Sequence, residues 1–332
     1  SLKLRLLLQI SRADASAAGQ IEAMMAAGGF ITSPANDFVF TFGTLNNPDD
    51  RHPMYQAGYA GGEAGYTYFG HQFMFEMLLN DDPRTPFYFK RQTKTVLNPE
   101  DPTDKQTIPC SQRTDCKYGY FPLSSYVTNA LYGVPPEGLT TAQREYLAGF
   151  FGRDRSDPSG IPNDNPLRTT VGVYPAGGLY DDVPEAGGGN KGKGNGIFPM
   201  ITTWMVKLYQ IEAMLALNVG GDAAAARALF ESAMREQMNK VSALGVSLDV
   251  DAEAIDADDR DAYIDEQLAE YDDAADNAAK RSSAPALSPS GSGDPAGQAT
   301  SPCVSSPSSS GAASTSSSSS RTGRGPARAL RT

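Results

Sequence analysis

The sequence predicts a mainly α fold in which tetratricopeptide-like helical hairpins support a large, loop-rich region. Three observations point there. Residues 199 to 244 carry two segments of helical apolar period separated by Gly220–Gly221, the pattern of a helical hairpin. Residues 1 to 30 read as a second helix pair. The stretch from Gly152 to Asp182 has neither a helical nor a strand period, yet it keeps Ile161, Leu167, Val171, Val173, Tyr174 and Tyr180, apolar anchors that a disordered linker lacks. Gly, Pro, Asp and Asn recur every few residues in it, so turns follow one another closely. A loop of that length inside a folded domain is functional or disordered, and the anchors favour function.

The elements follow in order. Leu4, Leu7 and Leu8 share one face of a first helix. Asp14 or Ser16 can cap a second, which Gly28–Gly29 ends. Asp37 to Phe42 alternates and reads as a strand, and residues 43 to 64 read as loop. Phe69 to Leu79 has helical spacing, stops at Asp81-Asp82-Pro83-Arg84, and gives way to an extended piece at Phe87–Phe89. Residues 94 to 140 are proline-dotted loop, with a helix from about Thr141 to Phe150. The run EAGGGNKGKGNG before Phe198 reads as a flexible or tight-turn surface segment. Pro199 to Leu217 forms a helix with the stripe Trp204, Leu208, Ile211 and Leu215; Asp222 caps its partner. Small residues (Ala226, Ala228, Ala233) sit where the two helices approach. One hairpin resembles a tetratricopeptide unit in spacing. From Asp249 to Asp276 there are 13 acidic residues against one Arg, the pattern of a solvated helix face, and Tyr263, Leu268 and Tyr271 form its apolar stripe.

Beyond Lys280 the composition changes. Twelve of the residues from Ser301 to Ser320 are serine, so no packed core forms there. Residues 1–280 are therefore one partial domain and 281–332 a disordered Ser/Pro/Ala-rich tail. The tail reads either as a natural linker or as translation of a GC-rich gene in a shifted frame. The start reads as a helix already under way, so the chain is expected to be an interior piece of a longer one.

Charge and residue counts narrow the function. Net charge is -11, which disfavours nucleic acid, because phosphate binding needs a basic surface. Two histidines, His52 and His71, leave few routes to His-based catalysis or zinc. Cys110 and Cys116 flank SQRTD and can close a small disulfide in an oxidising compartment, or stay as two thiols in a reducing one. No nucleophile elbow, zinc-protease helix or phosphate loop is present. Asp154, Asp157, Asp164, Asp181 and Asp182 could supply paired carboxylates for glycoside hydrolysis, and the first three could hold calcium, but turn geometry alone accounts for such a loop. No cofactor is expected. Tyr118, Tyr120, Phe121, Tyr126, Tyr132, Tyr174 and Tyr180 lie in loops or at their edges, where ring faces suit stacking on sugars or peptide side chains. The plainer role for any one of them is to anchor its loop to the helical body.

The segments FGRDRSDPSGIPNDNPLRTTVGVYPAGGLYDD (from Phe151) and GIFPMITTWMVKLYQIEAMLALNVGGDAAAARALFESAMREQMNKV (from Gly196) resemble the SusD/RagB family of nutrient-binding outer-membrane lipoproteins. SLKLRLLLQIS and DDPRTPFYFKRQ fit the same family, in the same order, so the resemblance runs from about Ser1 to Lys280. It implies helix pairs supporting a loop-rich region. It also implies a lipid-anchored protein at the surface of the outer membrane, partnered with a SusC-type TonB-dependent transporter and binding polysaccharide, oligosaccharide or another nutrient. The lipidated Cys and the family's N-terminal third are not in this sequence, so the anchor is carried over from the family. Arg153, Asp154, Arg168, Tyr174 and Tyr180 match the family-like loop. The candidate ligand contacts are Tyr118, Tyr120, Tyr174, Tyr180, Arg153 and Asp154. The expectation is a binding protein and not an enzyme; the alternatives are a helical-repeat scaffold for protein partners, or a surface glycosidase.

Overall fold

Leucine spacing starts the fold. In the computed structural model, Leu4, Leu7 and Leu8 are the buried face of α1 (Leu2–Ile10). The structure describes residues 1–60, 69–91, 132–135, 138–140, 143, 147, 149–150, 152, 169–181 and 192–282. A tight turn leads to α2 (Ser16–Ala27), where Asp14 Oδ1 accepts the Ser16 N–H at 2.8 Å. Gly28, at φ +69°, closes that helix in a conformation L side chains avoid.

The chain then crosses to the loop layer. Strand β1 (Phe38–Thr41) is followed by a helical turn α3 (Pro53–Tyr55) that runs on as a π-helical turn over Gln56–Ala60. Next come α4 (His71–Leu79), α5 (Thr85–Tyr88), β2 (Phe89–Lys90), β3 (Thr170–Val171) and β4 (Ile197–Ile201). Two small antiparallel ribbons result: β1 with β4, placing Phe40 opposite Phe198, and β2 with β3, placing Phe89 opposite Val171. The helical body resumes with α6 (Thr203–Glu212), which continues as a π-helical turn over Ala213–Leu217 and ends at Asn218 in the left-handed region. It is completed by α7 (Ala223–Leu248), α8 (Ala257–Asp273) and α9 (Asn277–Ser282). Asp222 caps α7 by accepting the Ala225 N–H at 2.9 Å, and Asp256 does the same for α8.

Two cores share the long helix α7. Its N-terminal half joins α1, α2, α6 and α8 around Leu4, Ile21, Trp204, Phe230, Tyr263 and Tyr271. Its C-terminal half, through Val241, supports the loop layer around Met74, Leu78, Phe87, Phe89, Val173 and Tyr174. A fully buried side chain of this size contributes about 1.5–3 kcal/mol of transfer free energy, so burial in the two cores is the main favourable contribution to both layers. Tyr263, Leu268 and Tyr271 are the buried stripe of α8, while its acidic residues face outward, as the sequence predicts.

Four readings change. Residues 53–60 are helical, because Pro53 favours the first helical position and His52 caps it, its Nδ1 accepting the Met54 N–H at 3.1 Å. Phe87 belongs to a helical turn before the chain extends at Phe89. Pro199 opens no helix: residues 197–201 pair with β1, and the missing N–H of Pro199 is tolerated in a two-stranded ribbon. The end of the glycine run is interior, with Gly192, Gly194 and Gly196 buried. The helix expected over 141–150 falls mostly outside the described residues, although Leu147 and Phe150 sit in the second core. Cys110, Cys116 and residues 283–332 also lie outside the described residues.

Candidate ligand platform

Glycines let backbone segments 86–88, 172–178 and 192–197 stack closely, and let the Tyr55 ring lie against Gly194. A Cβ on Gly196 would stand 1.9 Å from the Pro175 carbonyl oxygen, and one on Gly172 would stand 2.2 Å from that of Phe87. The segment 192–197 therefore threads directly between 172–178 and 51–55. Backbone bonds lock it: the Gly194 N–H donates to Gly177 at 3.0 Å, the Ile197 N–H to Pro175 at 2.8 Å, and the His52 N–H to Gly194 at 2.8 Å.

Two tyrosines pin the stack. Tyr55 and Tyr59 lie parallel, 5.0 Å apart. The Tyr55 hydroxyl donates to the Gly192 carbonyl at 2.5 Å, and the Tyr59 hydroxyl donates to Val171 at 2.6 Å while accepting the Leu179 N–H at 3.2 Å. Burial pushes the Tyr59 phenol up to about 12, so it stays a neutral donor. His52 packs edge-on against Phe42 at 4.6 Å. Burial drives its pKa down to about 4, outweighing a hydrogen bond to Ile197 that favours the charged form. It is thus a neutral capping residue.

Two polar clamps fasten this layer to the helices, and a third, at Arg91, braces it internally. Arg84, fully buried, pairs bidentately with Asp82 and donates to Gln237 on α7 and, at 3.3 Å, to the Tyr263 hydroxyl on α8. Burial works against the Arg84 charge, but the Asp82 carboxylate reverses the balance and raises its pKa. Arg91 donates to Asp181 at 2.7 Å and lies over the Phe150 ring at 4.7 Å. The Tyr180 N–H donates to Asp249 Oδ2 at 2.8 Å, and the Tyr180 carbonyl accepts from Lys90 at 3.1 Å. The segment DDPRTPFYFK thus serves as the hinge pin between layers.

Of the six candidate ligand contacts, Tyr118, Tyr120, Arg153 and Asp154 lie outside the described residues. Tyr174 is 1% exposed and tilted against Tyr88 at 5.2 Å, with its phenol pushed well up by burial. A ring so enclosed offers no face to a ligand; Tyr174 is a core anchor. Tyr180 is half-buried, edge-on to Phe87 at 5.0 Å, and remains at the layer's margin.

The structure adds rings that sequence reasoning passes over. Phe38, Phe40, Phe198 and Met200 point outward from the β1–β4 ribbon, exposed by 57%, 56%, 40% and 41%. The alternation Phe-Val-Phe-Thr marks two faces but not which one is covered; here the aromatic face is the open one, and Phe40 continues edge-on into Phe42 at 4.9 Å. Such rings can stack on the carbon-rich faces of sugars or on apolar side chains. No group of three His, Cys, Asp or Glu among the described residues could hold a metal ion, and no described helix is long and apolar enough to cross a membrane.

The chain is similar to two solved structures. One is a SusD homolog from Bacteroides fragilis, 13% identical, with a TM-score of 0.44 over 85% of this chain and 50% of that one. The other is a SusD-like protein of Bacteroidetes AC2a, 16% identical, with a TM-score of 0.49 over 85% of this chain and 53% of that one. The chain thus spans about half the length of each. No family model and no curated protein matches it.

Proposed function

We propose that this chain is part of a cell-surface nutrient-binding protein of the SusD type, one that captures a glycan or similar polar nutrient and passes it to a SusC-type TonB-dependent transporter of the outer membrane. The observation that carries this reading is the locked loop layer. Glycine stacking, the Tyr55–Tyr59 pins and the Arg84 clamp hold an irregular surface on a helical scaffold, the preorganisation that weak recognition of a polar ligand needs. Anchoring would come from a lipid, as the resemblance implies. Tyr180 and the ribbon rings Phe38, Phe40 and Phe198 are the described candidates for ligand contact, with Tyr118, Tyr120, Arg153 and Asp154 beside them by resemblance. Affinity per sugar is modest, because a polar ligand exchanges water contacts for protein ones at a net gain of about 1 kcal/mol per hydrogen bond.

The test is retention of the folded chain on an immobilised polysaccharide panel, together with reducing-sugar release. Retention without release supports binding alone. Release that disappears in Asp154→Asn or Asp157→Asn would make the protein a glycosidase. A second reading, a helical scaffold for protein partners, is favoured by the carbon-and-sulfur surface of the β1–β4 ribbon; retention on no polysaccharide would favour it.

A further inference from the structure

Three backbone segments of the loop layer meet at one buried imidazole, that of His52. The His52 N–H donates to the Gly194 carbonyl at 2.8 Å, and its carbonyl accepts the Gln56 N–H at 3.0 Å. Its Nδ1 accepts the Met54 N–H at 3.1 Å and so caps the helical turns over 53–60. Its ring packs edge-on to Phe42, just past β1, and hydrogen-bonds the backbone of Ile197 at the start of β4. The Ile197 bond favours the charged ring, which makes the ring the donor and the carbonyl the acceptor. With Nδ1 taken by Met54, Nε2 supplies that proton. The neutral Nε2–H tautomer thus satisfies both partners at once.

A second ring proton breaks that match. It would sit on Nδ1, donor against the Met54 N–H, so the cap is lost and a charge is left in a buried place. Among the described residues no acid is turned toward that charge. On the same segment, Asp49 pairs with Arg51, and Asp50 accepts the Leu45 N–H at 2.7 Å. At the head of β1, Asp37 is turned to Thr203 and Lys240. Next to Gly194, Lys193 is exposed, and burial keeps the Tyr55 and Tyr174 phenols neutral. The cap also carries a lever. Tyr55 and Tyr59 project from the turns it starts, and they pin Gly192, Val171 and Leu179. The first core, around Leu4, Trp204 and Phe230, has no histidine among its buried residues. We propose that His52 is an acid-operated latch: proton uptake at Nδ1 unfastens residues 51–60 from the ribbon and the glycine run while the helical body stays folded. The freed backbone reaches Leu179, beside Tyr180, so acidity would loosen the layer's margin. The latch is read without ligand, so its failure and the failure of the binding role are separate outcomes.

The test is native-state hydrogen exchange of the full chain at pH 7 and pH 5, corrected for the pH dependence of intrinsic exchange. The closed ring resists protonation down to about 4, against an ordinary value of 6.5, so linkage raises the open fraction about 20-fold over that range. The amides of His52, Met54 and Gly194 should show that rise. At pH 5 they should open at least ten-fold more often than the amides of α7 from Ala226 to Val241, and the emission of Trp204, the single tryptophan, should stay constant. His52→Asn keeps a capping acceptor and should abolish the rise; it also assigns one of the two histidine signals, whose nitrogen-15 shifts should show a neutral Nε2–H ring at pH 7. The proposal is overturned by a rise of less than about three-fold, by equal opening of this segment and α7, by a rise that persists in His52→Asn, or by an Nδ1–H ring at pH 7.

Discussion

Replacing Arg84 with methionine tests how the loop layer is held. Methionine keeps the length of the side chain and removes the guanidinium, leaving the Asp82 carboxylate, itself almost fully buried, without its bidentate partner. It also strips a donor from Gln237 and from the Tyr263 hydroxyl. A buried charge left alone costs about 3–5 kcal/mol. In a domain of this size that corresponds to a melting temperature lower by roughly 6–20 °C. The double variant Asp82→Asn with Arg84→Met removes both charges, so it should recover most of the loss and show a coupling of at least about 2 kcal/mol in urea denaturation. Arg84→Met costing under about 1 kcal/mol, or a double variant as unstable as the sum of the singles, would refute the clamp.

Other outcomes follow from the same contacts. The unfolded His52 imidazole titrates near its ordinary value of 6.5, whereas the folded one resists protonation down to about 4. Its contribution is therefore full above about pH 6.5 and lost as pH falls toward 4, up to about 3 kcal/mol; His52→Asn, which retains a capping acceptor, should flatten that part of a stability–pH curve. Tyr59→Phe leaves the Val171 carbonyl and the Leu179 N–H short of a partner and should cost about 1–3 kcal/mol by chemical denaturation. Gly196→Ala drives a methyl into the Pro175 carbonyl, backbone against backbone, and should fall at or beyond the upper end of the roughly 1–3 kcal/mol typical of overpacking, read as loss of soluble yield and of the cooperative melt. Breaking the exposed Arg227–Asp272 pair should leave the urea midpoint unchanged, because solvent screens the two charges.

Helices were the legible part of this chain because their signals are local. Leu4, Leu7 and Leu8 announce α1, Asp222 announces the start of α7, and Tyr263, Leu268 and Tyr271 announce the inner face of α8. What the sequence hid depends on partners distant in the chain. Pro199 looks like a helix start until β1, some 160 residues earlier, pairs with it. The glycines at 192, 194 and 196 look like a surface linker until the Tyr55 ring and the Gly177 backbone are seen packed on them. Tyr174 and Tyr180 share the same motif, yet one is sealed beneath Tyr88 and the other sits at the margin, a distinction no local pattern encodes. Strand alternation at 38–41 separates two faces without naming the covered one, so the outward phenylalanines were visible only once Val39 was seen packed against the second core.

Isothermal titration of the folded chain with a panel of soluble oligosaccharides is the most direct test of the central claim, that a rigid loop surface captures a nutrient and leaves it chemically intact. The account predicts saturable heat with at least one oligosaccharide, weakened by Tyr180→Ala, and recovery of that sugar at its original length from the cell. Flat titrations across the panel, or recovery of shortened sugar, would contradict it.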